Sequence, residues 1–297
     1  MQSTSNQPNR NKNGQFKPLI RETEVGIVEF YTSEIKPSRK ATAEKFGVIP
    51  ACVTKVLQRN NIKMKTIVEA NQVSRKYKVD FDFFKYIDSE RKAYWLGVLA
   101  ADGCVYKQRL VVGLSRVDRE HLVLFLKDLN STYPIIDYIN NRGNECSGID
   151  ICARLAVEHL KNLGIIERKT LVLQWPVSVP AELESHFIRG YFDGDGSVWY
   201  DNVNNINFSI ASTLQVVEEI QKRLMKYCSL DKTKIRFKNN AYELIYTGNL
   251  QVKRIMDYMY KDSAVWLSRK RNKFKQHFTD YDATYGDKSP YGYRKTQ

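Results

Sequence analysis

The sequence predicts an α+β fold in which a helix–ββ–helix–ββ–helix unit occurs twice, preceded by a small all-α unit. Three observations predict it. The stretch AYWLGVLAADGCVY at 93–106 returns at 186–200 as HFIRGYFDGDGSVWY. Downstream of each copy, segments alternate polar and apolar residues at period two and then switch to helical spacing. Ahead of both copies, residues 21–61 show helical periodicity interrupted by one glycine-containing turn.

The bulk numbers agree. A chain of 297 residues has room for about two domains. At 42% hydrophobic, with 18 Tyr, 13 Phe and 4 Trp, it can bury a sizeable core. No apolar run of about 18 residues occurs, so no membrane-spanning helix is expected, and MQSTSNQPNRNKNGQFKP lacks the apolar core of a secretory signal. The five cysteines are scattered, with no CxxC pair, which argues against a disulfide framework and a zinc ribbon. A reducing, cytoplasmic setting is the expectation. The four histidines show no HxxxH pair, against a histidine metal site. The net charge of +14 suits a phosphate-rich partner. An anionic membrane would attract the same charge, but the basic residues are interleaved with Asn, Gln, Ser and Tyr in folded-looking segments, which favours nucleic acid.

In chain order, residues 1–20 read as a disordered basic arm. Residues 21–61 read as a helix-turn-helix: Ala43 and Phe46 close a short helix, Gly47 turns, and Pro50 suits the first turn of the next helix. Val53, Val56 and Leu57 form its inward stripe, leaving Thr54, Lys55, Gln58 and Arg59 outward for a major groove. A helical module that binds nothing is the competing reading. Residues 62–88 read as a linker, 89–180 and 181–280 as the two repeated halves, and 281–297 as a flexible tail.

The two copies align at an offset of 93 residues: Gly97 with Gly190, Ala101 with Gly194, Asp102 with Asp195, Gly103 with Gly196. Gly97 and Ala101 share one helical face, as do Gly190 and Gly194, and small residues there let two helix backbones approach closely. Each helix then stops at its glycine, leaving Asp102 and Asp195 at helix C-termini, where the macrodipole is already negative. Two such acids side by side disfavour joint ionisation. A divalent cation with oxygen ligands resolves the conflict, and Mg²⁺ is the natural choice. The plainer alternative is that each DG pair only ends a helix. Asp193 aligns with Ala100, so a symmetric site does not require it.

WLGVLAADG (95–103) and IRGYFDGDG (188–196) resemble the two nine-residue motifs of the LAGLIDADG homing endonucleases, and the likeness extends over about residues 80–280. Ala100 departs from the acidic residue often found there. The resemblance implies two αββαββα halves with antiparallel saddle sheets over double-stranded DNA. It also implies a monomer that cuts both strands of a long asymmetric site, as in intron homing. Asp102 and Asp195 would be catalytic and would hold Mg²⁺, with Mn²⁺ able to substitute and the Gly103 and Gly196 backbones as further candidate ligands. Lys169 and Lys270 fall at the family's basic position, either catalytic or positioning phosphate only.

Period-two alternation puts further DNA-binding candidates on one sheet face: Asn207, Ser209, Ser212, Lys234, Arg236 and Lys238 in the second half. Those of the first half are Lys107, Arg109, Ser115, Arg116, Asn140, Arg142 and Arg154. Each could equally be a solvated strand residue. The leading expectation is a Mg-dependent DNA endonuclease, with no membrane and no small-molecule cofactor. The alternative is a non-cleaving binder on the same scaffold, an intron RNA maturase or a transcriptional regulator.

Overall fold

The computed structural model describes residues 19–33, 37–64, 75–202 and 205–285. The chain divides into two compact units, residues 1–78 and 79–297.

The first unit holds α1 (Arg21–Thr32), α2 (Arg39–Lys45) and α3 (Pro50–Arg59). Glu22 and Glu24 favour the positive N-terminal end of α1. The Ser38 side chain caps α2 by accepting from the Ala41 amide. Gly47, at φ +62°, makes the turn into α3, whose first residue is Pro50. Ile27, Tyr31, Ala43, Val53, Val56 and Leu57 close a separate small core.

The second unit repeats one architecture. Its first half runs α4 (Glu90–Ala101), β1 (Gly103–Tyr106), β2 (Arg109–Ser115), α5 (Arg119–Asp128), β3 (Ile136–Ile139), β4 (Glu145–Cys152) and α6 (Arg154–Asn162). The other half runs α7 (Glu184–Asp195), β5 (Gly196–Tyr200), β6 (Ile206–Ser212), α8 (Leu214–Cys228), β7 (Arg236–Lys238), β8 (Ala241–Thr247) and α9 (Asn249–Tyr260). A last helix, α10 (Ser268–Tyr285), follows. The sheets have strand orders β1-β2-β4-β3 and β5-β6-β8-β7, antiparallel throughout, with Gly103 opposite Val112 and Gly196 opposite Ile210.

Period two sets the sheet faces. Leu110 and Val112 of β2 and Ile149 and Ile151 of β4 turn inward, as do Phe208, Ile210, Leu244 and Tyr246 in the other half. Both halves pack into one contiguous core. Residues 93–100 of α4 are buried on every side, because its sheet meets one flank and α7 the other.

Two expected boundaries move. The linker expected over 62–88 ends sooner: Val79, Phe83, Phe84 and Ile87 are buried in the second unit's core, with Phe83 edge-on to Phe84 at 4.8 Å. Four apolar residues so close together gain more from burial than from solvation as a linker. The tail expected from 281 begins inside α10, which continues to Tyr285. The remaining arm residues 1–18, linker residues 65–74 and tail residues 286–297 lie outside the described residues. Among the described residues, no helix is long and apolar enough to cross a membrane.

Candidate active site at the paired helix ends

The site starts from how closely α4 and α7 pack. A Cβ on Gly97 would stand 2.2 Å from the Phe187 carbonyl oxygen, and one on Gly190 would stand 2.0 Å from that of Tyr94. One turn further on, a Cβ on Gly194 would be 2.3 Å from the Ala101 methyl and 3.1 Å from Asp102 Oδ2. The Asp102 carboxylate therefore lies against the opposite helix, beside the residue that precedes Asp195.

Asp102 is the C-cap of α4, and Asp195 is the last residue of α7. Solvent reaches both carboxylates, yet protein atoms crowd them from several sides. Desolvation is the largest cause raising Asp102 to about 6, and the Asp195 charge adds to it. Asp195 is also raised, again mainly by desolvation. The lysine charges oppose both shifts.

Those lysines are buried, Lys169 at 7% and Lys270 at 5% exposure. Lys169 Nζ donates to the carbonyls of Gly103 (2.5 Å) and Ala101 (3.2 Å). Lys270 Nζ donates to those of Phe192 (2.6 Å), Gly194 (3.0 Å) and Gly196 (2.6 Å). The last carbonyls of a helix lack intrahelical partners and carry its negative end, so an ammonium there satisfies both needs. Each lysine thus holds the end of its own half's helix. Burial lowers Lys169 and brings Lys270 down to about 8.

The carbonyls of Gly103 and Gly196, expected as further metal ligands, already accept from these ammonium groups, and a cation against the same oxygens would meet a positive charge. No group of three or more His, Cys, Asp or Glu suited to a metal occurs among the described residues. Two carboxylates remain, a donor set that fits Mg²⁺ completed by water and substrate phosphate.

Residues 182–259 match the family model described as the LAGLIDADG-like domain. The DNA-directed RNA polymerase subunit Rpo1C of Methanocaldococcus jannaschii is 29% identical over 147 residues, 48% of this chain and 16% of that protein. The match thus takes in about one sixth of that relative's length. Among solved structures, the LAGLIDADG meganuclease I-AabMI bound to uncleaved DNA is similar over 65% of this chain and 90% of its own, at 13% identity and TM-score 0.45. Full-length DUF199/WhiA from Thermatoga maritima is similar over 68% and 66%, at 14% identity and TM-score 0.45.

Asp193, the extra acid of the second copy, is a strut between the halves. It is 3% exposed and accepts from Tyr94 Oη (2.7 Å), Tyr260 Oη (3.1 Å) and the Leu267 amide (2.7 Å). Burial raises it to about 6 against the pull of these donors. Tyr94 has a single hydroxyl proton, which goes to Asp193. His121 Nε2, 2.8 Å from the same oxygen, therefore donates its own, and burial holds that imidazole neutral at about 4.

Sequence reasoning missed two further ties. Arg189, fully buried, donates to Glu90 Oε1 (2.6 Å) and to the Val265 and Met259 carbonyls. Arg269 clasps Asp118 through Nε at 2.9 and 3.1 Å, across a cleft of about 200 Å³ that Asp102 and Gly194 also line. An arginine inside the apolar run IRGYF was the one available signal for Arg189.

The expected DNA-reading residues divide. In the first half Arg109 lies on the outer face but is held bidentately by Asp150 at 2.7 and 2.6 Å. Ser115 ends β2 at the cleft. Lys107 occupies the β1–β2 turn at φ +53°. Arg116 leaves the strand and pairs with Asp137 at 3.6 Å. Asn140 builds the β3–β4 turn, its Oδ1 accepting from the Arg142 and Asn144 amides, with Arg142 exposed. Arg154 is not on a strand: it opens α6 and pairs with Glu158.

In the second half, Asn207 and Ser209 are only 2% and 5% exposed, so neither can meet a base edge as placed. Ser212 points inward to Tyr191 Oη at 2.8 Å. Lys234 is exposed just before β7, and Arg236 and Lys238 are exposed on that edge strand. Phe237 on the same edge strand is 64% exposed, with the Tyr242 ring 4.9 Å away.

In the first unit Thr54 accepts from Arg39 Nη1 (3.2 Å) and Arg59 pairs with Glu24 (3.2 Å). Lys55 and Gln58 remain exposed.

Proposed function

We propose that this chain is a site-specific endonuclease that cuts both strands of double-stranded DNA by Mg²⁺-dependent phosphodiester hydrolysis, acting as a monomer. The observation that carries the reading is the pairing of two solvent-reachable carboxylates at adjoining helix ends, each end backed by a buried ammonium. A fold alone has no need for two acids there, since each stands at the unfavourable end of a dipole.

Asp102 and Asp195 would hold the cation from the two adjoining helix ends, each next to one scissile phosphate. When bound, the cation would supply a water of lowered pKa and offset the charge developing on the phosphate. Lys169 and Lys270 are positioning residues: they fix the helix ends that carry the acids and add positive charge behind them. With Asp102 near 6, the ionised pair forms as pH rises through that value.

The test is incubation with a randomised duplex library and Mg²⁺, followed by sequencing of the ends. Defined ends that vanish in Asp102→Asn or Asp195→Asn, with binding retained, support the reading. Binding without cleavage by the unaltered chain would instead select the non-cleaving alternative.

A further inference from the structure

We propose that most of the electrostatic grip on duplex DNA is supplied by the helical unit, through its α2–α3 side, rather than by the two sheets. The inference rests on DNA being the substrate.

The charge is unevenly placed. Residues 1–78 contain 15 Lys and Arg against 6 Asp and Glu. Residues 79–267, which hold both sheets, contain 24 of each and are neutral. Residues 268–297 contain 8 against 3. On and around the first sheet, Arg109, Arg116 and Arg154 are each paired with an acid. At the start of α10, Lys270 is buried and Arg269 pairs with Asp118. A duplex presents one phosphate charge per ~1.7 Å, and affinity for it comes largely from cations that displace its counterions. In the body, Lys234, Arg236 and Lys238 stand exposed on and just before one edge strand, while its remaining charge is balanced by acids.

Within the helical unit the charge is segregated again. Over α1, Arg21 stands against Glu22, Glu24 and Glu29. From α2 to residue 63, six basic residues meet one acid of the same stretch, Glu44, which stands 4.0 Å from Lys40; Arg59 pairs with Glu24 of α1, and Arg39, Lys45, Lys55 and Lys63 are left without an acid partner among the described residues. The basic side is also ordered, since Arg39 reaches from α2 to Thr54 on α3. Val53, Val56 and Leu57 bury one face of α3, leaving Lys55 and Gln58 one turn apart on the other. A helix of this width fits the major groove, with flanking cations over the backbone.

The test uses the full chain. Lys40→Gln/Lys55→Gln/Lys63→Gln removes three exposed charges from this side. The control, Lys222→Gln/Lys226→Gln/Lys232→Gln, removes three exposed charges from the body. Binding to a non-target duplex is followed by fluorescence anisotropy across a KCl series. Each lost phosphate contact lowers the slope of log affinity against log salt by ~0.9. The first variant should lose about two to three from the slope and bind about tenfold to a hundredfold more weakly, with the control near wild type. An unchanged slope in the first variant, or an equal loss in the control, overturns the inference while leaving the endonuclease reading intact. A wild-type chain that binds no duplex at any salt overturns that reading, and this inference with it.

Discussion

Gly190→Ala places one methyl where the two motif helices touch. The added Cβ would sit 2.0 Å from the Tyr94 carbonyl oxygen and 3.0 Å from the Val98 amide nitrogen, both backbone atoms that no rotamer change can move. A comfortable carbon–oxygen contact is about 3.3 Å, so the helices must part by about 1 Å. A gap of that size forfeits about a quarter to a half of each dispersion contact along the seam. With overpacking, the cost is about 3–5 kcal/mol, from which about 1 kcal/mol is returned by alanine's better helix propensity. The net loss of about 2–4 kcal/mol should lower Tm by about 4–16 °C in a unit of this size. Gly164→Ala is the control, since its position has φ +87° but open space, so only backbone strain of about 1–2 kcal/mol applies. Thermal melts and urea titrations of both variants read the difference. If Gly190→Ala melts within a degree or two of wild type, the backbone-to-backbone seam is wrong.

Asp102→Asn should abolish double-strand cutting while leaving the fold intact and duplex affinity within about threefold, read on supercoiled plasmid and by anisotropy. At subsaturating Mg²⁺ the cleavage rate should rise as pH passes about 6, where Asp102 ionises, and fall above about 8, where Lys270 loses its proton. Stability runs the other way at the acid: a carboxyl raised in the fold contributes stability that is full below its unfolded value near 4 and is lost as pH rises through about 6. Added Mg²⁺ should therefore raise Tm more at pH 8 than at pH 5. Lys270→Met leaves three helix-end carbonyls without their donor and should cost about 3 kcal/mol. It should also move the acidic limb of the pH profile upward, because its charge holds Asp102 and Asp195 down. Asp193→Asn, which keeps the shape but weakens the pull on Tyr94, Tyr260 and the Leu267 amide, should destabilise by about 1–3 kcal/mol.

By itself the sequence determined the architecture. Repetition at a 93-residue offset, small residues four apart and period-two strands are local patterns, and each has one cheap way to bury its apolar face. The equivalence of Asp102 and Asp195 was legible as well, because an internal repeat gives matching residues matching places at the ends of their helices. What only the tertiary structure decided is where each polar group finds its partner. Lys169 and Lys270 turned out to face helix-end carbonyls, Arg109 an aspartate on the neighbouring strand, and Ser212 a tyrosine of the motif helix. Asn207 and Ser209 alternate like solvent-facing residues yet are covered by their neighbours. Hydrogen bonds and ion pairs act over a few ångströms between residues far apart in the chain, so periodicity carries the face a side chain takes but not what waits there.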